Sequence, residues 1–211
     1  MKILFLGDSI TQGAMLASPE QAYTALVGKE IGCEVKSYGV GGTRIARQRN
    51  QSAIAIYDQD FLQRAEMMDK DADLVFVFGG TNDFGHGDAP IGEIDDTTPF
   101  TFCGALNCLI NYLETVYGKE KLCFLLPLHR KDEMNLRGEN GCKEHDVGTL
   151  KDYINSEITV LQNQKIQYLD LTDLFALNEL TKWTADGLHP NAEGHQKIAD
   201  VIVNYLRQRE L

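Results

Sequence analysis

The sequence predicts an α/β fold in which helices wind both faces of a five-stranded parallel sheet. Short apolar runs rich in β-formers alternate with longer segments of helical periodicity, and the glycine-rich polar loops fall after the strands. No internal repeat, low-complexity tract or Pro- or Ser-rich linker interrupts the chain, so residues 1–211 read as a single domain. At 43% hydrophobic content a chain of this length buries a full core, on the order of 70% of its unfolded surface.

The first strand is Lys2 to Leu6, stopped by Gly7-Asp8-Ser9. A helix follows from about Glu20 to Ile31, with Pro19 near its start and Gly32 beyond its end. Strand two, Glu34 to Tyr38, runs into the loop Gly39 to Thr43. The short helix Phe61 to Met68 precedes strand three, Leu74 to Phe78, which ends at Gly79 to Asp83. The long apolar helix Phe100 to Tyr117 leads to strand four, Leu122 to Leu126. Helix Val147 to Gln162 carries Leu150, Ile154, Ile158 and Leu161 at helical spacing and precedes strand five, Ile166 to Leu169. Asn191 caps the last helix, where Ile198, Val201, Ile202 and Tyr205 recur at i, i+3, i+4 and i+7. In such sheets the ligand crevice lies beyond the carboxyl ends of the strands, where the loops beginning at Gly7, Gly39, Gly79 and Asp186 also fall.

Charge and cysteine content narrow the function. Against 20 Lys and Arg stand 31 Asp and Glu, a formal charge of −11, which disfavours nucleic acid as a partner. The local basic cluster Arg44, Arg47, Arg49 reads as a solvated helix face. Five unevenly spaced cysteines imply no disulfide framework and fit a reducing compartment. The N-terminal apolar run is too short for a signal sequence and no segment approaches membrane-spanning length, so the expectation is a cytoplasmic protein without a membrane partner. The sequence specifies no oligomeric state.

Ser9 follows a buried strand, the place for a nucleophile, but a serine hydroxyl attacks a carbonyl only when an adjacent base takes its proton. Asp186-Gly187-Leu188-His189 supplies both a base and, three residues away, a carboxylate to hold the imidazole in one tautomer. Acyl transfer also needs donors aimed at the developing oxyanion. Candidates are the Ser9 N–H, the Gly42 N–H in a loop whose glycines allow close backbone approach, and the uncharged side-chain amide of Asn82. Asp83 reads as structural.

These four blocks, Gly7-Asp8-Ser9, Gly39 to Gly42, Gly79-Gly80-Thr81-Asn82-Asp83 and Asp186 to His189, resemble in order and spacing the GDSL esterase and lipase family, the SGNH hydrolases. The resemblance spans essentially the whole chain. It implies a three-layer α/β/α sandwich of flavodoxin-like type, a cofactor- and metal-free acyl-enzyme mechanism, and small-molecule esters as substrates, including acetylated sugars in many relatives. Tyr38, ahead of the glycine block, stands where relatives often carry a polar residue such as Asn, which leaves that pocket wall undefined.

Asp8, Arg44, His86 and His129 are expected as substrate contacts, His129 with Arg130 and Arg137 from a long polar loop, Leu128 to Asp146, overhanging the site. Cys142-x-x-His145 lacks a second spaced pair and reads as no zinc site. His86 reads as a rim residue rather than a rival base, and His195 as a packed side chain. The activity expected is hydrolysis of an acetyl or other short-acyl ester of a carbohydrate-like alcohol. The alternatives are an O-acyltransferase using the same residues and a ligand-binding module without chemistry.

Overall fold

The computed structural model describes residues 1–209. Strands β1 (Lys2–Gly7), β2 (Glu34–Gly39), β3 (Leu74–Phe78), β4 (Leu122–Leu125) and β5 (Gln167–Leu169) form one parallel sheet in the order β2-β1-β3-β4-β5. The helices are α1 (Ser9–Gln12), α2 (Tyr23–Ile31), α3 (Phe61–Glu66), α4 (Thr81–His86), α5 (Phe102–Tyr117), α6 (Leu150–Gln164), α7 (Leu180–Trp183) and α8 (Ala192–Gln208). None of them is long and apolar enough to cross a membrane.

Successive strand side chains point to opposite faces, and this alternation builds the three layers. Leu4, Leu6, Val75, Val77, Leu122 and Phe124 join one core with α3, α5 and α6. Their neighbours Ile3, Phe5, Leu74, Phe76, Cys123 and Leu125 join the other with α2 and α8. Both sets are apolar, so strands β1, β3 and β4 read as continuous hydrophobic runs. Burial is worth about 1.5–3 kcal/mol for each large side chain, and it holds these strands in the middle of the sheet. β2, with Glu34, Lys36 and Ser37 exposed, lies at an edge, where charge discourages pairing with another chain.

Several helices begin later than their periodicity suggests, because local caps decide the first turn. Thr101 accepts from the Gly104 N–H and starts α5 at Phe102 rather than Phe100. Thr149 and Asp152 form a reciprocal capping box that starts α6 at Leu150 rather than Val147. Pro19–Gln21 is a 3-10 turn, and α2 proper begins at Tyr23. Three short helices, α1, α4 and α7, fall in segments read as loops, since four to six residues show no period.

Register sets the strand ends level. Gly7 lies beside both Gly39 and Phe78, Phe78 beside Leu125, and Leu125 beside Leu169. From β1 the chain goes first to β2 on one side, then to β3 on the other. Ser9 therefore sits at the switch point where such sheets open a crevice.

Candidate active site

Asp8 caps α1 by accepting the Ile10 N–H at 2.9 Å, and this places Ser9 at the first helical residue with its own N–H outside the helix ladder. Gly13, at φ 81°, ends the helix after one turn. The turn is packed tightly, since a Cβ on Gly7 would lie 1.9 Å from Thr11 Oγ1. Ser9 is thus held on a rigid corner.

His189 Nε2 lies 3.0 Å from Ser9 Oγ, and His189 Nδ1 lies 2.8 Å from Asp186 Oδ2. The other Asp186 oxygen accepts the backbone N–H groups of Leu188 at 3.0 Å and His189 at 2.8 Å. Burial pushes the Asp186 carboxyl up, but the backbone and ring donors of His189, with the Leu188 N–H, more than offset it and hold the group below the usual carboxylate range. The ionised carboxylate accepts a hydrogen bond from the Nδ1–H, which keeps the ring proton on Nδ1 and leaves Nε2 bare toward the serine. Gly187, at φ 86°, allows the tight turn, and the bridge between Thr184 and Pro190 closes its base.

The side expected to receive an oxyanion is assembled from two loops stapled together. Asn82 Nδ2 donates to Thr43 O at 2.9 Å, which leaves its second hydrogen for a substrate. Asp83 accepts the Ile45 and Ala46 N–H groups at 2.9 and 2.8 Å. Burial pushes the Asp83 carboxyl up to about 6. Gln12 Oε1 takes the Gly41 N–H at 2.7 Å. Gly42 has φ 74°, and a Cβ there would come within 2.9 Å of the Tyr57 ring, so both backbone angle and space require glycine.

Beneath these loops lies Arg64, buried on α3. It donates to Thr43 Oγ1 at 2.7 Å, to Gly7 O at 2.8 Å and to Tyr38 O, which ties the ends of β1 and β2 to the glycine loop. Burial lowers the guanidinium to about 10, opposed by Asp8 and Asp60, so it remains charged at neutral pH. Sequence reasoning missed it, although Arg64 shares an i, i+3, i+4, i+7 stripe with Phe61, Ala65 and Met68, an anomalous place for a charge.

Ser9, Gly42, Asn82 and His189 face one open cleft of about 600 Å³. Its remaining walls come from Gly41, Arg44, Ser52, Tyr57, His86, Glu139 and Leu188. The residues singled out from sequence thus converge, apart from Asp8 and those of the 128–146 loop. Asp8 is buried and spent on capping α1, and burial pushes its carboxyl up to about 6. His129 faces a separate groove, with Nδ1 on Glu133 at 2.9 Å and Nε2 on Asp173 at 3.1 Å. Neither is positioned to touch a substrate at Ser9.

The expected helix face at Arg44 to Arg49 does not form: the segment is not helical, and the Arg44 and Arg47 side chains are taken up by partners. Arg44 is buried and bonds His86 Nδ1, Tyr57 O and Asp58, while Arg47 pairs with Asp60 at 2.6 Å. From the 128–146 segment it is Glu139 that reaches the cleft. Arg130 is wholly buried, donating to Thr81 and to Glu139 Oε2, and Arg137 bonds the carbonyls of Lys143 and Glu144. Tyr38 forms no part of the cleft wall, since its hydroxyl accepts the Asp69 N–H beside the α3 core. His195 is fully buried against Tyr23, whose N–H it accepts at 3.1 Å. No cluster of metal-ligating side chains occurs among the described residues.

An α/β/α sandwich that brings Asp186, His189 and Ser9 into one hydrogen-bonded chain at its switch point has the fold of an SGNH-type hydrolase. The chain belongs to the GDSL-like Lipase/Acylhydrolase family, whose model matches residues 5–197. Solved structures share the fold. A protein from Lactobacillus plantarum is 25% identical at TM-score 0.80, covering 98% of this chain and 96% of its own. One described as a possible lipase from Chitinophaga pinensis is 19% identical at TM-score 0.73, covering 100% and 99%. An acetyl xylan esterase, AlAXEase, is 22% identical at TM-score 0.67, covering 97% and 99%. No curated protein matches the chain.

Proposed function

We propose that the protein is a serine esterase that hydrolyses a short-acyl ester, acetyl first, through an acyl-enzyme. One observation carries this reading: the unbroken chain from Asp186 Oδ2 through the imidazole to Ser9 Oγ, at 2.8 and 3.0 Å. Ser9 Oγ attacks the ester carbonyl while its proton passes to His189 Nε2, and Asp186 stabilises the imidazolium. The Ser9 and Gly42 N–H groups and the second Asn82 Nδ2 hydrogen receive the oxyanion, in positions already fixed by Asp83, Thr43 and Arg64. His189 then gives its proton to the leaving alkoxide. Water, deprotonated by His189, attacks the acyl-serine and releases the acid.

The short acyl group is inferred from the walls. Tyr57 and Leu188 are the large apolar side chains on the cleft, and polar or charged residues make most of the remainder, a poor lining for a long hydrocarbon chain. That the fold is shared with an acetyl xylan esterase is consistent with acetyl and with a carbohydrate-like alcohol. In Ser9→Ala, turnover of p-nitrophenyl acetate falls by about 10⁶-fold with the melting temperature unchanged. Undiminished turnover by that variant sinks the proposal.

A further inference from the structure

We propose that His86 and Glu139 form a donor–acceptor pair that recognises a hydroxyl on the alcohol portion of the ester, so that the preferred substrate is the ester of a neutral polyhydroxy alcohol. This rests on the esterase reading and adds to it the chemistry that chooses the alcohol.

The tautomer of His86 follows from its neighbour. Arg44 Nη1 lies 2.9 Å from His86 Nδ1, and a guanidinium can only donate, so Nδ1 accepts and the neutral ring carries its proton on Nε2. Burial and then the Arg44 charge bring the imidazole down to about 4, so at neutral pH it is a fixed, uncharged donor. The Arg44 guanidinium is in turn anchored by Tyr57 O at 2.9 Å and Asp58 at 3.3 Å. Among the described residues the Nε2–H has no protein partner, and it belongs to a ring that lines the same cleft as Ser9.

Glu139 supplies the complement. One of its oxygens receives the buried Arg130 guanidinium at 2.8 Å, which fixes the carboxylate in place, and the side chain remains about a third exposed at 31%. It lines the cleft beside His86, close enough for its charge to act on that ring. A hydroxyl can accept from His86 and donate to Glu139 at once; an aryl or alkyl group can do neither. The carboxylate also repels an anionic alcohol, while the Arg44 charge is already shared with Asp58. A neutral polyol is what remains.

The test compares glycerol monoacetate with p-nitrophenyl acetate, in wild type, His86→Leu and His86→Gln. A glutamine at position 86 can accept from Arg44 and still donate; a leucine can do neither. His86→Leu is expected to lower kcat/KM on glycerol monoacetate about 10-fold more than on the aryl ester, mainly through KM. His86→Gln is expected to recover most of that loss. Equal losses on both esters, or none on either, overturn the assignment, as does a gain on an anionic ester such as acetyl-lactate in the wild type over glycerol monoacetate. Labelling of Ser9 by a fluorophosphonate is followed in all three proteins. Labelling intact with no hydroxyl preference removes only this proposal, whereas absent labelling in wild type removes the esterase reading and this one with it.

Discussion

The two halves of the proposed catalytic site are built in opposite ways. The base half, Asp186 to His189, is a surface turn: the Asp186 side chain is 35% exposed, and its partners lie within three residues. The oxyanion half is held from below by buried charged groups on distant parts of the chain, with Arg64 spanning β1, β2 and the glycine loop and Asp83 reaching from α4 to Ile45 and Ala46. The difference follows from what each half must do. An imidazole needs a tautomer and an orientation, which one carboxylate can set. Donors to a developing oxyanion must be in place before charge appears, and that demands a frame that does not relax.

Substitutions can break this contrast in order of expected size. Asp186→Asn keeps the turn but presents the wrong partner to Nδ1, and kcat is expected to fall about 10⁴-fold with the unfolding midpoint almost unmoved. Arg64→Met does the reverse, orphaning Gly7 O, Tyr38 O and Thr43 and leaving Asp8 and Asp60 without its charge; urea denaturation should register a loss of about 3–5 kcal/mol. If Arg64→Met were as stable as wild type, the bracing account of the oxyanion half would be wrong. Asn82→Ala removes one oxyanion donor and is expected to lower kcat by about 10²–10³-fold with KM little changed, measured on p-nitrophenyl acetate.

The smallest effect is a dependence on pH. Glu157, on α6, is fully buried, neither carboxyl oxygen has a partner among the described residues, and Oε2 lies 3.3 Å from where a Cβ on Gly80 would stand. Burial raises its carboxyl well above the usual value of 4.5. The folded state therefore holds this proton more tightly than the unfolded state. Its contribution is fully present below about pH 4.5 and is lost as pH rises through the folded value. Over that window the wild type should lose about 1.4 kcal/mol per pH unit relative to Glu157→Gln, by urea titrations at a series of pH values. A constant gap between the two proteins would show that Glu157 is not protonated in the folded state.

The same contrast explains what was legible in the sequence. The triad and the central strands could be read because their signals are local or periodic: an Asp three residues before a His, an apolar run ending in Gly-Asp-Ser, an amphipathic stripe in α8. The caps at Thr101 and Thr149 were short-range too, but periodicity alone overran them by two or three residues. The frame beneath the oxyanion loops was not legible, since Arg64 and Thr43 lie 21 residues apart and meet only once β1, β2 and α3 have packed. Cleft walls were harder still. Glu139 is positioned by Arg130, and Arg130 by Thr81, a relay between two distant segments that no local pattern reveals. Asp8 misled for a related reason: beside a nucleophile it looks available to substrate, but the first turn of α1 needs its carboxylate more.

The central claim is that Ser9 carries the acyl group between two half-reactions. The most direct measurement is rapid acid quench of the enzyme with p-nitrophenyl acetate, followed by peptide mass spectrometry. The account predicts one acetyl group on Ser9, accumulating with a burst of nitrophenol and absent from His189→Ala. Steady turnover with an acetyl group on another residue, or with Ser9 unmodified while a burst is seen, would contradict it.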